Sequence, residues 1–163
     1  MSEVLDLIND LGSIIEAKIG IKPVNANQTE YRTPKYPAIT FTLSTIEENA
    51  GSWGVYEDGT RQKPYHVIIS FTISSKNYKE ALETAIKLHH FLDHKNPLLD
   101  KKNIVITRCQ NVSSRDNFLT YEFEYRFGFD VKFAVMCALS EDLVPKPEQV
   151  EVELKMEEQN NGH

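Results

Sequence analysis

From Leu119 to Val135, the apolar residues Leu119, Tyr121, Phe123, Tyr125, Phe127, Phe129, Val131, Phe133 and Val135 occupy every second position. Thr120, Glu122, Glu124, Arg126, Gly128, Asp130, Lys132 and Ala134 lie between them. This is the period of a β-strand with one face on a core and the other toward water or a partner. A strand covered on both faces would read as a continuous apolar run, so the pattern predicts an antiparallel sheet with one covered face. At a rise of about 3.3 Å per residue the stretch would reach roughly 55 Å, far beyond the usual strand of about 5–6 residues. A bend is expected, and Gly128 is its expected place, because glycine admits a bulge or a close backbone approach and leaves the aromatic row intact.

The same reading places the other elements. Ser2 is an N-cap candidate for a helix whose apolar stripe is Val4, Leu5, Ile8, Leu11, Ile14 and Ile15, with Gly20 placed to end it. Ala38 to Ile46 alternates Ile39, Phe41 and Leu43 with Thr40, Thr42 and Ser44, and Tyr65 to Ser75 alternates again. Joined by the glycine-containing stretch Glu47 to Lys63, these two predict a long antiparallel hairpin. That connector carries Trp53, Val55 and Tyr56, which either fold back as a lid on the core or project to meet a partner. Asn77 and Glu80 have the form of a capping box opening a second helix, whose predicted buried stripe is Tyr78, Ala81, Leu82, Ala85, Leu88, His89 and Leu92. Asn96-Pro97 is expected to end it, and Asn103 to Cys109 reads as a short strand followed by a polar turn.

The expected fold class is therefore α+β: an antiparallel or mixed four-stranded sheet with two helices on one face, in the order α-β-β-α-β-β. Residues 1–140 form the single domain and 141–163 an acidic tail or arm. In that arm Val150, Val152, Leu154 and Met156 alternate with charged residues, so it has the pattern of an added edge strand.

Charge sharpens this division. The chain has 163 residues and a formal net charge of -6. Seven acids and two lysines from Glu141 onward account for -5 of it, which leaves the folded part close to neutral. A clustered basic face of the kind that binds nucleic acid is not present in the sequence. With no long apolar run and no basic leader, the expected site of synthesis is a cytoplasm. Cys109 and Cys137 are expected to be two buried thiols without a disulfide, since a pair is too few for a disulfide framework.

The candidate chemistry is thin. His89, His90, Asp93 and His94 cluster near a helix end, and His90 to His94 has the outline of an inverted zinc-protease motif with Asp in place of Glu. A third ligand and a glutamate able to reach a bound water are not signalled, and histidines near a helix C-terminus suit the helix dipole. No phosphate loop or nucleophile elbow is present in the sequence.

Several strings, in order, resemble the neck or tail terminator proteins of long-tailed bacteriophages. They are Tyr36-Pro37-Ala38-Ile39, Asn77-Tyr78 with Ala81 and Ala85 to Leu88, Asn103-Ile104-Val105, Arg115-Asp116, Tyr121-Glu122, and Tyr125 to Asp130. The resemblance runs from about Tyr36 to Phe133, and none of these strings is a catalytic signature. It implies a virion structural protein with no enzyme activity and no cofactor. Such a subunit forms a ring, with six copies the expected number, which caps the tail tube and meets the head connector. DNA would pass through that ring without specific binding.

Joined to the alternation, this makes the charged face (Glu122, Glu124, Arg126, Asp130 and Lys132) the expected lumen or subunit interface. Trp53, Val55 and Tyr56 become the expected partner loop, and Val150, Val152, Leu154 and Met156 the expected arm. The alternatives are a tail-completion or head-closure connector and, in a different class, a small-ligand domain or enzyme with a pocket on the aromatic face.

Overall fold

Strand β4 (Arg61–Ser75) lies near the middle of a seven-stranded sheet and carries the row Val67, Ile69, Phe71 and Ile73, each almost fully buried. The computed structural model describes residues 2–28, 35–55, 61–94, 96–116 and 123–138. The remaining elements are α1 (Ser2–Ile19), β1 (Val24–Asn25), a 3-10 turn (Ala26–Gln28), β2 (Ala38–Asn49), β3 (Gly54–Val55), α2 (Tyr78–Asp93), α3 (Pro97–Asp100), β5 (Val105–Cys109), β6 (Ser113–Ser114) and β7 (Tyr125–Ala138).

The main sheet order is β1-β2-β4-β7-β5, with β3 paired to β4 and β6 to β7. β1 runs parallel to β2 and the other pairings are antiparallel. The fold is thus α+β with the mixed form of the expected sheet, while the expected four strands and their order are corrected to seven strands among the described residues. The three additional strands are two residues long, too short for any hydrophobic period to register. A third helix is also added: Pro97, expected only as a stop, opens the single turn of α3, with the Asn96 side chain accepting from the Leu98 amide.

β4 and β7 pair without a register shift from Gln62↔Ala138 to Ser75↔Tyr125. The bend expected at Gly128 is therefore not a bulge; the irregularities lie instead in β2, around Thr45, and in β5, between Ile106 and Arg108. Opposed residues in an antiparallel pair share a face. Ile39, Ile73 and Phe127 thus form one row of the core, and Phe41, Phe71 and Phe129 the next. The first part of the expected long strand, Leu119 to Glu122, lies outside the described residues, and Phe123 and Glu124 precede β7.

α1 and α2 close this face. α1 buries Val4, Leu7, Leu11 and Ile15, while Leu5, expected on the stripe, is exposed. Gly20 ends α1 as expected, at a φ of 82° that costs glycine no steric clash, and its amide bonds to the Glu16 carbonyl at 2.9 Å. α2 buries Ala81, Ala85, Leu88 and Leu92, with Tyr78 exposed but edge-on to Tyr125 and Phe127. Each large side chain fully withdrawn from water stabilises the fold by about 1.5–3 kcal/mol.

The cap of α2 differs from a simple capping box. Asn77 Oδ1 accepts from the Glu80 amide at 3.2 Å, but the Glu80 carboxylate bonds the Ser75 hydroxyl, which in turn accepts from the Asn77 amide at 3.1 Å. The end of β4 is thereby tied to the start of α2. Asn77→Ala is expected to cost about 1 kcal/mol, read as a melting temperature lower by roughly 2–4 °C.

Candidate functional site

The face of the sheet away from the helices is polar, and its centre is Arg115. The Arg115 amide bonds the Arg126 carbonyl at 2.8 Å, which holds the β6 segment against β7. The Arg115 side chain then crosses the sheet over Gly128. One guanidinium nitrogen donates to Ser70 Oγ at 2.6 Å, Thr72 Oγ1 at 3.2 Å and the Phe71 carbonyl at 3.3 Å. The other donates to Asp130 Oδ1 at 2.7 Å, and the Ser70 hydroxyl donates to the same oxygen at 2.7 Å. This crossing is possible because Gly128 has no Cβ: an added Cβ would lie 2.6 Å from Arg115 Nε.

Two further ion pairs complete the face. Lys132 on β7 reaches Glu48 on β2 at 2.6 Å, with His66 of β4 at 3.9 Å from the same oxygen. Arg126 pairs with Glu124 at 2.5 Å, and the Arg126 amide donates to Asp116 Oδ1 at 2.6 Å. Glu124, Arg126, Asp130 and Lys132, the described members of the expected lumen or interface set, therefore each hold an opposite charge of the same chain. Glu122 lies outside the described residues. The alternating signs in the sequence become a laced surface with its charges compensated.

Three carboxyls on this face are held below their ordinary range. For Asp130, burial alone would raise the value, but the hydrogen bonds from Ser70 and Arg115 and the guanidinium charge outweigh it. For Glu124, burial is likewise outweighed by Tyr36, Arg126 and Ser74. Glu48 is lowered first by its bond from Lys132, against a smaller opposing effect of burial, with the Lys132 and His66 charges adding to the lowering. A carboxyl depressed in the folded state contributes stability that is present above its unfolded value, near 4, and is lost as pH falls through the folded value. Acidification below about pH 4 is accordingly expected to lower the melting temperature. Asp130→Asn should show a smaller drop between pH 6 and pH 3 than the parent chain, measured by circular dichroism.

The expected partner loop is shorter than the sequence suggests, because β2 runs on to Asn49, β3 pairs with β4, and β4 begins at Arg61. Trp53 and Val55 do not form a lid on the core. Both are exposed at the far end of the hairpin, with the Lys63 ammonium 5.8 Å from the Trp53 ring centre and 5.3 Å from that of Tyr65. Ile46, Val105 and Met136 are also exposed, and the pairing of Val105 with Ala134 and of Met136 with Pro64 puts those two on the polar face. Tyr56 and the arm residues Val150, Val152, Leu154 and Met156 lie outside the described residues.

The space beneath α1 is too small for the ligand pocket of the alternative reading. Between α1 and the sheet, the space lined by Ile8, Ile15, Phe41 and Phe71 is about 10 Å³, less than a water molecule fills comfortably. Of the histidine cluster, His90 and His94 are exposed, while His89 packs edge-on against Phe129 at 5.1 Å. Cys137 is buried as expected, whereas Cys109 is only half-buried.

Sequence reasoning missed the meeting of Arg115 with Ser70 and Asp130. Its one available signal was a glycine on the polar side of an otherwise regular strand. Against known proteins, the family model for phage neck terminator protein matches residues 5–158. No curated protein matches the chain.

Proposed function

This chain belongs to the phage neck terminator proteins, and from that premise we propose that it is the ring-forming subunit that terminates the tail tube and joins it to the head connector. As a member of that family it is a structural protein of the phage neck. In the proposed ring, of six subunits, neighbours meet through different patches, so a closed ring leaves no contact surface unpaired. The observation that carries this reading is the exposed apolar end of the sheet. Trp53 and Val55 are both exposed there, and exposed apolar side chains at the tip of a hairpin suit a protein contact.

The laced polar face then fits the lumen. Arg126, Arg115 and Lys132 on it are already engaged by Glu124, Asp130 and Glu48, which lowers the positive charge available to retain a DNA backbone. Trp53, Val55 and Tyr56 contact the tube or a neighbouring subunit, and the 141–163 arm, through Val150, Val152, Leu154 and Met156, adds a strand to a neighbour's sheet edge.

Light scattering over a concentration series, with and without tail-tube protein, tests the ring. A six-subunit mass, alone or only with tube present, supports it, and a monomer at every concentration that ignores the tube removes it. Val55→Asp is expected to abolish that assembled species without changing the melting temperature. Glu124→Lys combined with Asp130→Lys is expected to leave rings that retain DNA and deliver it poorly. Unchanged delivery would remove the lumen assignment.

A further inference from the structure

We propose that His89 and Asp93 on α2, together with Cys109 on β5, form a binding site for a divalent cation of the zinc class that clamps the end of the helix to the edge strand. One ligand atom from each of the three lies within 4.8 Å of the other two. His89 and Asp93 stand four residues apart, one helical turn, and so project from the same side of α2. Cys109 reaches them from the last position of β5, whose pairing with Val131 of β7 fixes its place.

Bonds of about 2.0–2.3 Å to a tetrahedral ion put ligand atoms roughly 3.5 Å apart, so the three need to close by about 1 Å. Asp93, at the exposed end of the helix, has the freedom to supply that movement. His89 is held more firmly, its ring edge-on to Phe129 at 5.1 Å and an interplanar angle of 82°. One oriented imidazole, one half-buried sulfur and one adaptable carboxylate make a site in which only the last group has to adjust.

The donor set selects the ion. A sulfur with an imidazole nitrogen suits zinc or cobalt, whereas magnesium and calcium take oxygen ligands. Three protein ligands leave a fourth position, which solvent reaches on the Asp93 side. In the absence of a cation the thiol stays protonated, since burial, with the Asp93 charge adding to it, pushes it up to about 11. A bound cation takes the place of the thiol proton, which leaves to solvent, and its positive charge lies between the sulfur and the carboxylate. The cluster is also distinct from the spacing that first draws the eye: His90 and His94 are exposed and take no part in it. A metal here would secure β5, which among the described residues is an edge strand paired only with β7.

The test uses the tag-free full chain under reducing conditions, titrated with Co²⁺ as the spectroscopic probe and back-titrated with Zn²⁺. The expected result is one equivalent of Co²⁺ per chain, with the visible bands of a tetrahedral ion and a sulfur-to-cobalt band in the near ultraviolet, both removed by Zn²⁺. Cys109→Ser should abolish the sulfur band. Asp93→Asn, a change at an exposed position, should weaken binding at least about tenfold, the low end of what even outer-shell changes cost. Cys137→Ser and the double variant His90→Ala, His94→Ala should bind as the parent does. A parent chain without the sulfur band would overturn the proposal, as would a band that survives Cys109→Ser or disappears in either control.

Discussion

Gly128→Ala is expected to lower the stability of the fold by about 3 kcal/mol, at the upper end of what overpacking costs. The added methyl would sit 2.4 Å from the Phe71 carbonyl oxygen and 2.6 and 2.7 Å from Arg115 Nε and Cδ. The first contact is with the backbone of a neighbouring strand whose pairing is unbroken on both sides of Gly128, so it yields only if the sheet deforms. The second is with a side chain that moves only by giving up its bonds to Ser70, Thr72 and Asp130. Comparing Gly128→Ala in the parent and in an Arg115→Ala background, by urea unfolding, separates the two contributions. A cost that falls by 1 kcal/mol or more in the second background assigns that part to the arginine crossing, and the remainder belongs to the Phe71 carbonyl. A parent-background cost below about 1 kcal/mol would mean that the glycine is not needed for a close approach.

The middle of the sheet was legible because it has a covered face. Ile39 to Leu43, Val67 to Ile73 and Tyr125 to Val135 alternate because α1 and α2 lie on one side of them, and burial writes itself into the sequence as a period of two. Beyond the helices the same strands continue with fewer buried side chains, so Glu48, Asn49 and Arg61 to Pro64 pair with neighbours but leave no clear period to read. The connector therefore looked longer than it is, and β3 was not visible at all. In α1, Leu5 and Leu7 are equally apolar, and only the position of the sheet decides that Leu7 goes inward.

The laced face and the His89, Asp93 and Cys109 cluster were illegible for a different reason. Arg115 lies 45 residues from Ser70, and Asp93 is separated from Cys109 by α3 and the approach to β5. Such pairs depend on register, and register follows from the packed core as a whole rather than from any local string. The separate members were visible: Arg115-Asp116, Gly128 and Asp130 all belong to the strings that carry the family resemblance. What the structure adds is that the glycine makes room for the arginine to reach the aspartate.

Phe129→Ala is expected to be the most damaging single truncation, costing about 3–5 kcal/mol and lowering the melting temperature by roughly 6–20 °C. Phe129 is 1% exposed, opposite Phe71 at a ring separation of 5.9 Å, with His89 of α2 edge-on at 5.1 Å on another side. Its ring thus joins β7 to β4 and to α2 at one point, and the interlocked neighbours have little freedom to collapse into the space it leaves. Phe127→Ala is the control of equal size. Phe127 is 6% exposed and meets the ring of Tyr78, an exposed side chain that can swing into the gap, so its loss should cost less than that of Phe129. Urea unfolding of both variants decides the matter. Equal costs would show that β7 is held uniformly along its length, whereas the larger loss at Phe129 would place the strongest joint of the subunit beneath Asp130 and the arginine crossing. The face proposed for the lumen would then rest on the least deformable part of the sheet.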